Sequence, residues 1–462
     1  MTKTLQLLLL FCITATTAIY AQNYPTTEWI DFADVTWYDA SSDNFSITTA
    51  EELAGLAELV QDGNTFSGKT INIDADIDLD GNLWTPIGTD VDFPFSGTME
   101  GNNFTISNIW INDVSGSFKG LFGQAFGASL SDIKIDTAYI NTADTAGSLV
   151  GNLSTESSVD NSHAINVNIT CEGYNCGGLV GGLLTDSSVS NSSAAGEVTG
   201  ESQIGGLVGS AWDRTDITNS YSEGNITAQY LAGGLVGYCT MAFAPYRTNA
   251  VDNCYSRADV TVILGRAGGL YGGGDSDLLI TNSYSTGAVY APEFEGGVIG
   301  AFGGGSVVIE NTYFDTESSN MTEGVGGFTG PTQTYDIEGK TTAEMKSQAV
   351  VDLLNSGSSD NPWTLDANEN DGYPILDQTL STTQPEEIKL ALSIYPTVVE
   401  NDINISTQLD LEAFKIFNYS GQIVLDGKIE NKTIQVNTLS EGVYLLNIKT
   451  AQGTMTQKFI KK

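Results

Sequence analysis

The chain has 462 residues and a formal net charge of −39 at pH 7, from 57 acidic side chains against 18 Lys and Arg. A field of this sign repels nucleic acid and anionic membranes, and it disfavours strongly anionic polysaccharides unless divalent ions or a local basic patch intervene. Residues 1–384 carry 10 Lys and Arg against 48 Asp and Glu, a net charge of −38, whereas residues 385–462 carry 8 against 9, a net charge of −1. This contrast predicts that the C-terminal part is a separate domain.

Residues 1–21 have the pattern of a secretory signal peptide. Lys3 supplies a positive start, residues 5–13 form a short apolar run, and a cleavage site ends at Ala21. The run is too short to span a membrane, and no later segment reaches the roughly 18 apolar residues that a span requires. We therefore expect an exported protein without a membrane span.

Four cysteines follow the signal peptide, an even number for an oxidising compartment. They are Cys171, Cys176, Cys239 and Cys254. We predict the pairs Cys171–Cys176 and Cys239–Cys254, because each pair brackets one local excursion of the repeat described below. Free buried thiols are the alternative.

Residues 22–97 are predicted to form an N-terminal capping region of one helix and several strands. Thr49 and Glu52 have the spacing of a capping box, and the apolar residues that follow share one helix face. This predicted buried face consists of Leu53, Leu56, Ala57 and Val60. Residues 71–79 then alternate apolar residues with Asp, which predicts a strand with one wet face.

Two acidic stretches are candidates for calcium binding, because carboxylate and amide oxygens are the ligands that Ca²⁺ takes. The first is the wet strand face, with Asp74, Asp76, Asp78 and Asp80. The second resembles half of a calcium loop and contains Asp366, Asn368 and Asn370. A solvated strand face and an ordinary turn are the alternative interpretations.

A repeat of 28–30 residues covers residues 98–330. Its first marker is a GLVG-type core whose leucine-type residue recurs in steps of 28, 30, 28, 28, 35 and 28 residues. These residues are Leu121, Leu149, Leu179, Leu207, Leu235, Leu270 and Val298. A second marker keeps the same period at Asp132, Asn161, Asn191, Asn219, Asn253, Asn282 and Asn311. Two markers with one period indicate an array of stacked units.

Each unit contains short alternating runs separated by Gly, Ser or Asp, and none has helical periodicity. This pattern predicts an all-β fold, a parallel β-solenoid or β-helix of seven or eight coils. Residues one repeat apart then lie directly above one another, ~4.8 Å apart. One predicted column consists of His163, Ser193, Tyr221, Tyr255, Tyr284 and Tyr313.

The GLVG core predicts a corner of the coil. In a straight strand, Leu207 and Val208 would point to opposite faces, but the flanking glycines let the backbone turn so that both are buried. The alternative is an outward apolar stripe of Val150, Val180, Val208, Val236, Tyr271 and Ile299.

The chain after the repeats divides into three predicted parts. Residues 331–379 form a C-terminal capping region, where Thr341 and Glu344 have capping-box spacing and Met345, Ala349 and Leu353 form the apolar face. Helical caps at both ends would cover strand edges that otherwise invite aggregation. Residues 380–388 are a polar linker, and residues 389–462 contain seven short strand runs that predict a small β-sandwich.

The repeats resemble the GLUG motif family, which is named for its Gly-Leu-x-Gly core. The resemblance covers residues 86–330 and includes the companion stretch Asn219-Ser-Tyr-Ser-Glu-Gly224. It implies a secreted or surface protein, often an adhesin, although the motif also accompanies some bacterial immunoglobulin-cleaving zinc peptidases. A zinc peptidase of the HExxH type needs two histidines one helical turn apart, and this chain has His163 as its one histidine. The resemblance therefore does not carry peptidase activity.

The C-terminal part is similar to the type A sorting domain of the type IX, or Por, secretion system. The stretches that carry the similarity include Leu392-Ser-Ile-Tyr-Pro396, Phe414-Lys-Ile-Phe-Asn418 and Glu441-Gly-Val-Tyr-Leu-Leu446. Thr397 and Val398 stand where the family commonly has Asn-Pro. The similarity implies the type IX secretion machinery as a partner, and a protein that is released or attached at the outer cell surface, usually after removal of this domain.

Two edges of the solenoid carry side chains that suit a ligand. The turns after the GLVG cores gather Trp212, Asp213, Arg214, Tyr246, Arg247 and Asp275, and the 35-residue unit adds its extra residues there. The turns before the cores gather Tyr174, Tyr230, Arg266, Glu293 and Glu295. Aromatic rings beside carboxylates and amides suit sugars, which combine apolar faces with hydroxyls, although ordinary polar turns have a similar composition.

Three functions are compatible with this sequence. The first is a non-catalytic, adhesin-like protein that binds glycans or another surface through these edges. The second is a β-helical polysaccharide lyase or glycosidase, because neighbouring coils can place two carboxylates about 5 to 10 Å apart. The third is a structural matrix or spacer protein.

Overall fold

A computed structural model of the chain describes residues 24–240, 248–330, 332–357, 361–377, 392–395, 398–407, 411–417, 423–429, 432–440, 442–450 and 453–462. The predicted signal peptide and the predicted linker 380–388 lie outside the described residues. The chain divides into two compact units, Met1–Pro374 and Ile375–Lys462.

The first unit is a parallel β-solenoid of about ten turns, as the repeat predicts. Its larger sheet has 24 strands. They are Asn44–Ile47, Thr70–Ile73, Ile77–Asp78, Thr98–Glu100, Thr105–Lys119, Ser129–Ser131, Lys134–Ala146, Ser158–Asp160, His163–Cys171, Tyr174–Gly177, Ser188–Ser190, Ser193–Gly205, Asp216–Thr218, Tyr221–Gly233, Asn249–Asp252, Tyr255–Ser256, Asp259–Val262, Arg266–Gly268, Leu278–Thr281, Tyr284–Ser285, Val289–Tyr290, Phe294–Gly296, Ser306–Asp315 and Thr332–Lys340.

The stack is longer than the seven or eight coils that the GLVG markers predict, because coils without this marker continue it at both ends. One interior column begins at Phe45 and Ile71, before the first GLVG core, and continues in parallel pairing to Tyr335. Between them it runs through Met99, Leu130, Val159, Val189, Ile217, Val251, Ile280 and Ile309. The region predicted as an N-terminal cap therefore contributes strands to the solenoid.

The GLVG cores form the predicted corner and open a second sheet of eight strands. The carbonyl of Leu207 accepts hydrogen bonds from both Leu179 and Val180, at 3.0 and 3.1 Å, so two successive N–H groups point in one direction and the chain bends. Leu207 and Val208 are both fully buried, which excludes the outward stripe. A Cβ on Gly206 would lie 2.0 Å from the carbonyl oxygen of Gly234, so the close approach of the coils requires glycine.

The eight strands of the second sheet follow the cores in register. They are Phe122–Phe126, Val150–Ser154, Val180–Leu184, Val208–Trp212, Val236–Thr240, Tyr271–Gly274, Ile299–Phe302 and Val325–Phe328.

The Asn and Asp markers occupy the next corner of the coil. All seven have a positive φ, between 44° and 56°, a conformation that Asn and Asp adopt more readily than other non-glycine residues. Their side chains also form hydrogen bonds between coils, such as Asn311 Nδ2 to Asn282 Oδ1 at 2.7 Å. Backbone geometry and side-chain bonding together explain why this marker keeps the period of the repeat.

The predicted tyrosine column is confirmed. Backbone pairing joins His163 to Ser193, then to Tyr221, Tyr255, Tyr284 and Tyr313. The rings of Tyr221 and Tyr255 stack at 4.6 Å, and those of Tyr255 and Tyr284 at 5.1 Å, each pair within 2° of parallel. Residues one repeat apart are therefore vertical neighbours.

The N-terminal region contains a short 3₁₀ helix, Trp29–Phe32, and the predicted helix α1, Ala50–Gln61. Thr49 and Glu52 form the predicted capping box. The predicted apolar face of α1 is buried in the main hydrophobic core. The acidic stretch that follows is not one strand, because it is interrupted between Thr70–Ile73 and Ile77–Asp78.

The C-terminal capping region has two helices, α2 (Thr342–Met345) and α3 (Gln348–Ser356). Thr341 and Glu344 form the predicted capping box, and Met345 is buried. The rest of the predicted apolar face is wrong, since Ala349 and Leu353 are exposed. The break between α2 and α3 restarts the helical period, and Val350, Val351 and Leu354 become the buried residues.

After α3, the chain runs back along the tyrosine column. We call residues 361–374, which include the strand Trp363–Thr364 and the 3₁₀ helix Asn370–Gly372, the returning segment. Trp363 packs against Tyr255 and Tyr284, with ring centroids 6.1 and 5.4 Å apart. Tyr284 donates a hydrogen bond to the carbonyl of Pro374 at 2.5 Å. The sequence does not predict this contact.

One of the two predicted disulfides is present. Cys171 and Cys176 are bonded. Cys239 and Cys254 are free buried thiols, so the predicted bridge between them is wrong and the alternative holds. The physical reason is their placement, because Cys239 lies in the second sheet whereas Cys254 follows the Asn corner of the first.

The second unit has two small sheets, consistent with the predicted sandwich. One sheet contains Leu392–Tyr395, Asp402–Thr407 and Thr433–Gln435; the other contains Val398–Val399, Leu411–Phe417, Ile423–Gly427, Gly442–Thr450 and Gly453–Lys461. A further short strand is Ile375–Leu376. Ile403 of the first sheet and Ile416 and Phe459 of the second belong to one buried cluster. Across the described residues of both units, no helix has the length and apolar character of a membrane span.

Candidate functional site

The edge after the GLVG cores carries Trp212, Asp213, Arg214 and Asp275, and we call it the Trp212 edge. Part of it already makes contacts within the chain. Trp212 lies in register with Leu184 and Thr240 and is only partly exposed. Arg214 forms an ion pair with Asp186 of the preceding coil. Asp213 and Arg214 both have a positive φ, which shapes a tight turn.

Three sequence-predicted candidates of this edge remain: Asp275, Tyr246 and Arg247. Asp275 is exposed, and its carboxylate contacts the hydroxyl of Tyr238. Burial, followed by this carboxylate, raises the pKa of Tyr238 to about 12. Tyr246 and Arg247 lie outside the described residues. The described part of this edge therefore offers few uncommitted groups.

The edge before the cores, which we call the Tyr230 edge, is more open. It carries large apolar side chains on three consecutive coils, each between 42% and 60% exposed: Tyr230, Ile263, Leu264, Tyr290 and Phe294. Ile263 and Leu264 stack below Ala228 and Gln229 through backbone hydrogen bonds of 3.1 and 2.8 Å. The register of the solenoid therefore builds one exposed apolar surface from separate turns.

The other candidates of this edge surround that surface. Arg266 pairs in register with Leu231 and Phe294, and Glu293 is exposed beside Gly265. Tyr174 is 43% exposed but lies two coils away, separated from Tyr230 by a coil that carries Ser202 at this position. Tyr174 therefore does not contact the continuous surface.

A groove of about 400 Å³ adjoins the Tyr230 edge, and we call it the Tyr290 groove. It is lined by Asn225, Asp259, Val260, Thr261, Ala288, Val289, Tyr290, Glu295, Asn320 and Met321. Asn225 pairs with Asp259, and Thr261 pairs with Tyr290, so neighbouring coils supply its walls.

The carboxylates of the Tyr290 groove are held in place by the backbone. Asp259 Oδ1 accepts a hydrogen bond from the N–H of Ala288 at 2.7 Å. Glu295 Oε2 accepts one from the N–H of Ala291 at 3.1 Å. Each carboxylate has a second oxygen, so the groove combines fixed acceptors with the exposed ring of Tyr290.

The sequence identified Glu295 of this groove but missed Asn225, Asp259, Thr261 and Tyr290. A signal for Tyr290 exists, because successive side chains of a strand point to opposite faces. Val289 is buried, so the ring of Tyr290, the next residue of the same strand, faces the solvent. Ile263 and Leu264 give a similar signal, as two apolar residues directly before the turn glycine Gly265. Neither signal belongs to a periodic column, so the repeat does not reveal it.

Three of the four calcium candidates of the N-terminal region, Asp74, Asp76 and Asp78, accept hydrogen bonds from neighbouring coils. Asp76 Oδ1 accepts from the N–H of Thr105 at 2.8 Å, and Asp78 Oδ1 accepts from Asn108 Nδ2 at 2.8 Å. Asp74 accepts from Ser46 and from Asn102. Asp80 is exposed and its N–H donates to Asp78.

The second calcium candidate is also committed elsewhere. Asp366 accepts hydrogen bonds from the backbone and side chain of Asn368, within one turn. Asn370 instead bonds to Tyr284, Pro374 and Arg257, and so anchors the returning segment. In the part of the chain that the structure describes, no group of three or more His, Cys, Asp or Glu side chains could hold a metal ion.

His163 occupies the polar end of the tyrosine column. Its Nδ1 lies 2.9 Å from Ser193 Oγ. Burial, followed by the charge of Lys134, lowers the pKa of His163. The contact satisfies a partly buried side chain.

Comparisons with protein families confirm both resemblances of the sequence. The GLUG motif matches residues 172–199 and 200–227, and the secretion system C-terminal sorting domain matches residues 393–462. The sorting domain marks proteins that the type IX system exports and that are then attached to the cell surface or released. The protein is therefore secreted or displayed at the cell surface and is handled by the type IX secretion machinery.

The comparison with curated proteins found no match for the chain. The chain is similar to the crystal structure of a putative immunoglobulin A1 protease from Bacteroides ovatus, with 16% sequence identity over 72% of this chain and 92% of that one, and a TM-score of 0.45. At this level the similarity supports no statement about activity.

Proposed function

We propose that this chain, a GLUG-repeat solenoid that the type IX secretion machinery exports, is a non-catalytic, adhesin-like protein that binds glycans. The binding surface is the Tyr230 edge together with the adjoining Tyr290 groove. One observation carries the proposal: three consecutive coils expose aromatic and aliphatic side chains beside a groove that polar and apolar side chains line together.

The chemistry of this surface suits sugar rings. A pyranose presents C–H groups on its faces and hydroxyls around its rim, so it stacks on an aromatic ring while it hydrogen-bonds to acceptors beside that ring. Tyr290 supplies such a ring, and Asp259, Glu295 and Asn225 supply polar atoms around it. A few polar groups set among apolar ones are typical of ligand sites.

The Tyr230 edge is a better candidate than the Trp212 edge. Arg214 of the Trp212 edge is paired with Asp186, and Trp212 is partly covered. Tyr230 and Tyr290, in contrast, are 42% and 60% exposed. Exposed large apolar groups that adjoin one another commonly mark interaction surfaces, whereas single ones are normal.

A lyase or glycosidase would use the same groove with different requirements. A glycosidase needs one carboxylate as a general acid and a second as nucleophile or base. Asp259 and Glu295 each hold one carboxylate oxygen in a hydrogen bond from a backbone N–H. These fixed acceptors suit the binding of sugar hydroxyls, whereas a glycosidase also requires a carboxyl group that donates a proton.

The test measures retention and breakdown of glycans together. The full chain is immobilised and exposed to a panel of neutral and acidic polysaccharides, and the solution is assayed for new reducing ends and for unsaturated products. We expect retention of at least one glycan without products. Tyr290→Ala should weaken that retention about tenfold, the low end of the range of on the order of 1–3 kcal/mol that a ring stacked on an aromatic side chain contributes in nucleic-acid binding.

The matched control is Phe32→Ala, which removes another exposed aromatic ring, 50% exposed, outside the repeats. It should leave retention unchanged. Products would establish the enzymatic alternative, and an absence of retention across the panel would favour a spacer or matrix role. Equal loss in both variants would contradict the proposed surface.

A further inference from the structure

A second cavity, of about 590 Å³, lies where the returning segment meets the solenoid, and we call it the Lys346 cleft. The solenoid contributes Arg257, Asp259, Thr286, Gly287, Ala288 and Ser318, while Lys346, Asp371 and Tyr373 come from the chain that follows. Asp259 and Ala288 also line the Tyr290 groove. The two cavities therefore share a wall.

Two cations converge on the face of Tyr373. Lys346 Nζ lies 4.4 Å from the ring centroid, and Arg257 Cζ lies 5.6 Å from it. The ring itself is fixed, because its hydroxyl donates to buried Asp315 at 2.7 Å. Cation–π contacts of this kind hold the charged groups in position before any ligand binds.

The convergence is unusual for this chain, since residues 1–384 contain only 10 Lys and Arg against 48 acidic residues. Arg257 and Lys346 place two cations side by side within a strongly acidic surface, in a cleft that Asp259 and Asp371 also line.

Arg257 and Lys346 differ in the contacts that they make within the chain. Arg257 is paired with Asp371 and Glu223 and donates to Asn370 Oδ1 at 2.7 Å, so it builds the wall of the cleft. Lys346 has no carboxylate within ion-pair distance among the residues that the structure describes. Its ammonium group therefore retains donors for a ligand. The nearby hydroxyls of Thr286 and Ser318 add polar groups.

We propose that the Lys346 cleft binds the carboxylate of a uronic acid residue, and that the ligand is a largely neutral oligosaccharide with isolated acidic sugars. This inference rests on the proposed function and specifies its ligand class. An isolated carboxylate gains a charge-assisted hydrogen bond from Lys346. A polyanion is rejected, because Asp259 and Asp371 line the same walls and the surrounding surface carries a large negative charge.

The experiment compares acidic oligosaccharides with their own methyl esters. The probes are glucuronic-acid-substituted xylo-oligosaccharides and partly esterified oligogalacturonides, each paired with its fully methyl-esterified form, and binding to the full chain is measured by calorimetry. We expect the acid of at least one pair to bind about tenfold more tightly than its ester, as a hydrogen bond to a charged group provides. Added salt should reduce this preference.

Two substitutions test whether Lys346 causes the tighter binding of the acid than of its ester. Lys346→Gln should abolish it while leaving binding of the ester unchanged, and Lys346→Glu should reverse it. The matched control is Lys340→Gln, which removes a lysine that also lies over a tyrosine ring, 5.0 Å from that of Tyr313, but is paired with Glu338. Lys340→Gln should keep the preference.

The outcomes separate this inference from the proposed function. Esters that bind as tightly as their acids in every pair, or a preference that survives Lys346→Gln, would overturn the acidic-sugar subsite and leave glycan binding intact. If neither member of any pair binds, and the neutral glycans of the wider panel are not retained either, both proposals are wrong.

Discussion

Two of the places where the solenoid brings aromatic and apolar side chains of successive coils together differ in what covers them. In the tyrosine column, Tyr255 and Tyr284 stack nearly parallel and are buried beneath Trp363. At the Tyr230 edge, Tyr230 and Tyr290 lie two coils apart, with Ile263 and Leu264 on the coil between them, and no described part of the chain covers these side chains.

This difference distinguishes a stack that stabilises the fold from a stack that is available for binding. Register alone brings equivalent side chains together, because residues one repeat apart become neighbours. A covered stack stabilises the fold through burial, whereas an uncovered one retains its surface for a partner. The returning segment is what distinguishes the two cases in this chain.

The largest effect is expected where the stack is covered. Tyr284→Ala removes a ring with no exposed surface, together with its hydrogen bond to Pro374. We expect the free energy of unfolding to fall by about 3–5 kcal/mol, as for other large core truncations. Denaturant unfolding measures this, with Tyr284→Phe as the control that keeps the ring. A loss below about 1 kcal/mol would show that the column is not part of the core.

The next effect concerns the cover itself. Trp363→Ala removes the ring that packs on Tyr255 and Tyr284, and with it the hydrogen bond from Nε1 to Asn253 at 3.2 Å. We expect the returning segment to become sensitive to proteolysis near Tyr373 while the solenoid stays intact, at a stability cost of about 2–3 kcal/mol. Timed digestion with mass spectrometry detects the cuts. Digestion that is unchanged from the parent chain would contradict the role of Trp363.

The uncovered stack should behave in the opposite way. Tyr230→Ala removes a side chain that is 42% exposed, so we expect the free energy of unfolding to change by less than about 0.5 kcal/mol. Retention of glycans should nevertheless decrease. Unfolding and retention are measured on the same preparation. A large loss of stability in this variant would make the Tyr230 edge structural, like the column.

The smallest effect lies at the polar end of the column. Burial lowers the pKa of His163, so the unfolded chain takes up a proton at a pH where the folded chain does not. Its contribution to stability is therefore complete above the unfolded value of about 6.5 and is lost as the pH falls through the lower folded pKa. We expect stability to decrease slightly as the pH falls below neutrality, and His163→Asn to remove this decrease.

The interpretation of that experiment is simple because His163 is the one histidine of the chain. Unfolding curves at several pH values, measured for both proteins, suffice. The same slope in the parent chain and the variant would contradict the assignment.

The repeat explains which parts of the fold the sequence predicts. The tyrosine column, the Asn corner and the burial of Leu207 beside Val208 all follow from one period, because stacking converts sequence distance into spatial position. The capping boxes at Thr49 and Thr341 are local sequence patterns, so they can be predicted from the sequence equally well.

Features without a period or a local pattern were missed. Trp363 contacts Tyr284 across 79 residues of chain, and nothing in either stretch marks the other. The wrong bridge between Cys239 and Cys254 arose from sequence proximity, which does not reveal that the two thiols belong to different sheets. The placement of Lys346 beside Arg257 was also missed, because it depends on Tyr373 of the returning segment, whose ring both cations contact.

The most direct test of the account is hydrogen–deuterium exchange of the full chain with and without the oligosaccharide that the panel retains best. The account predicts protection in residues 259–266 and 288–295, which contribute to the Tyr230 edge and the Tyr290 groove, and no change in residues 210–216. Protection centred on residues 210–216, or none in either region despite saturating ligand, would contradict it.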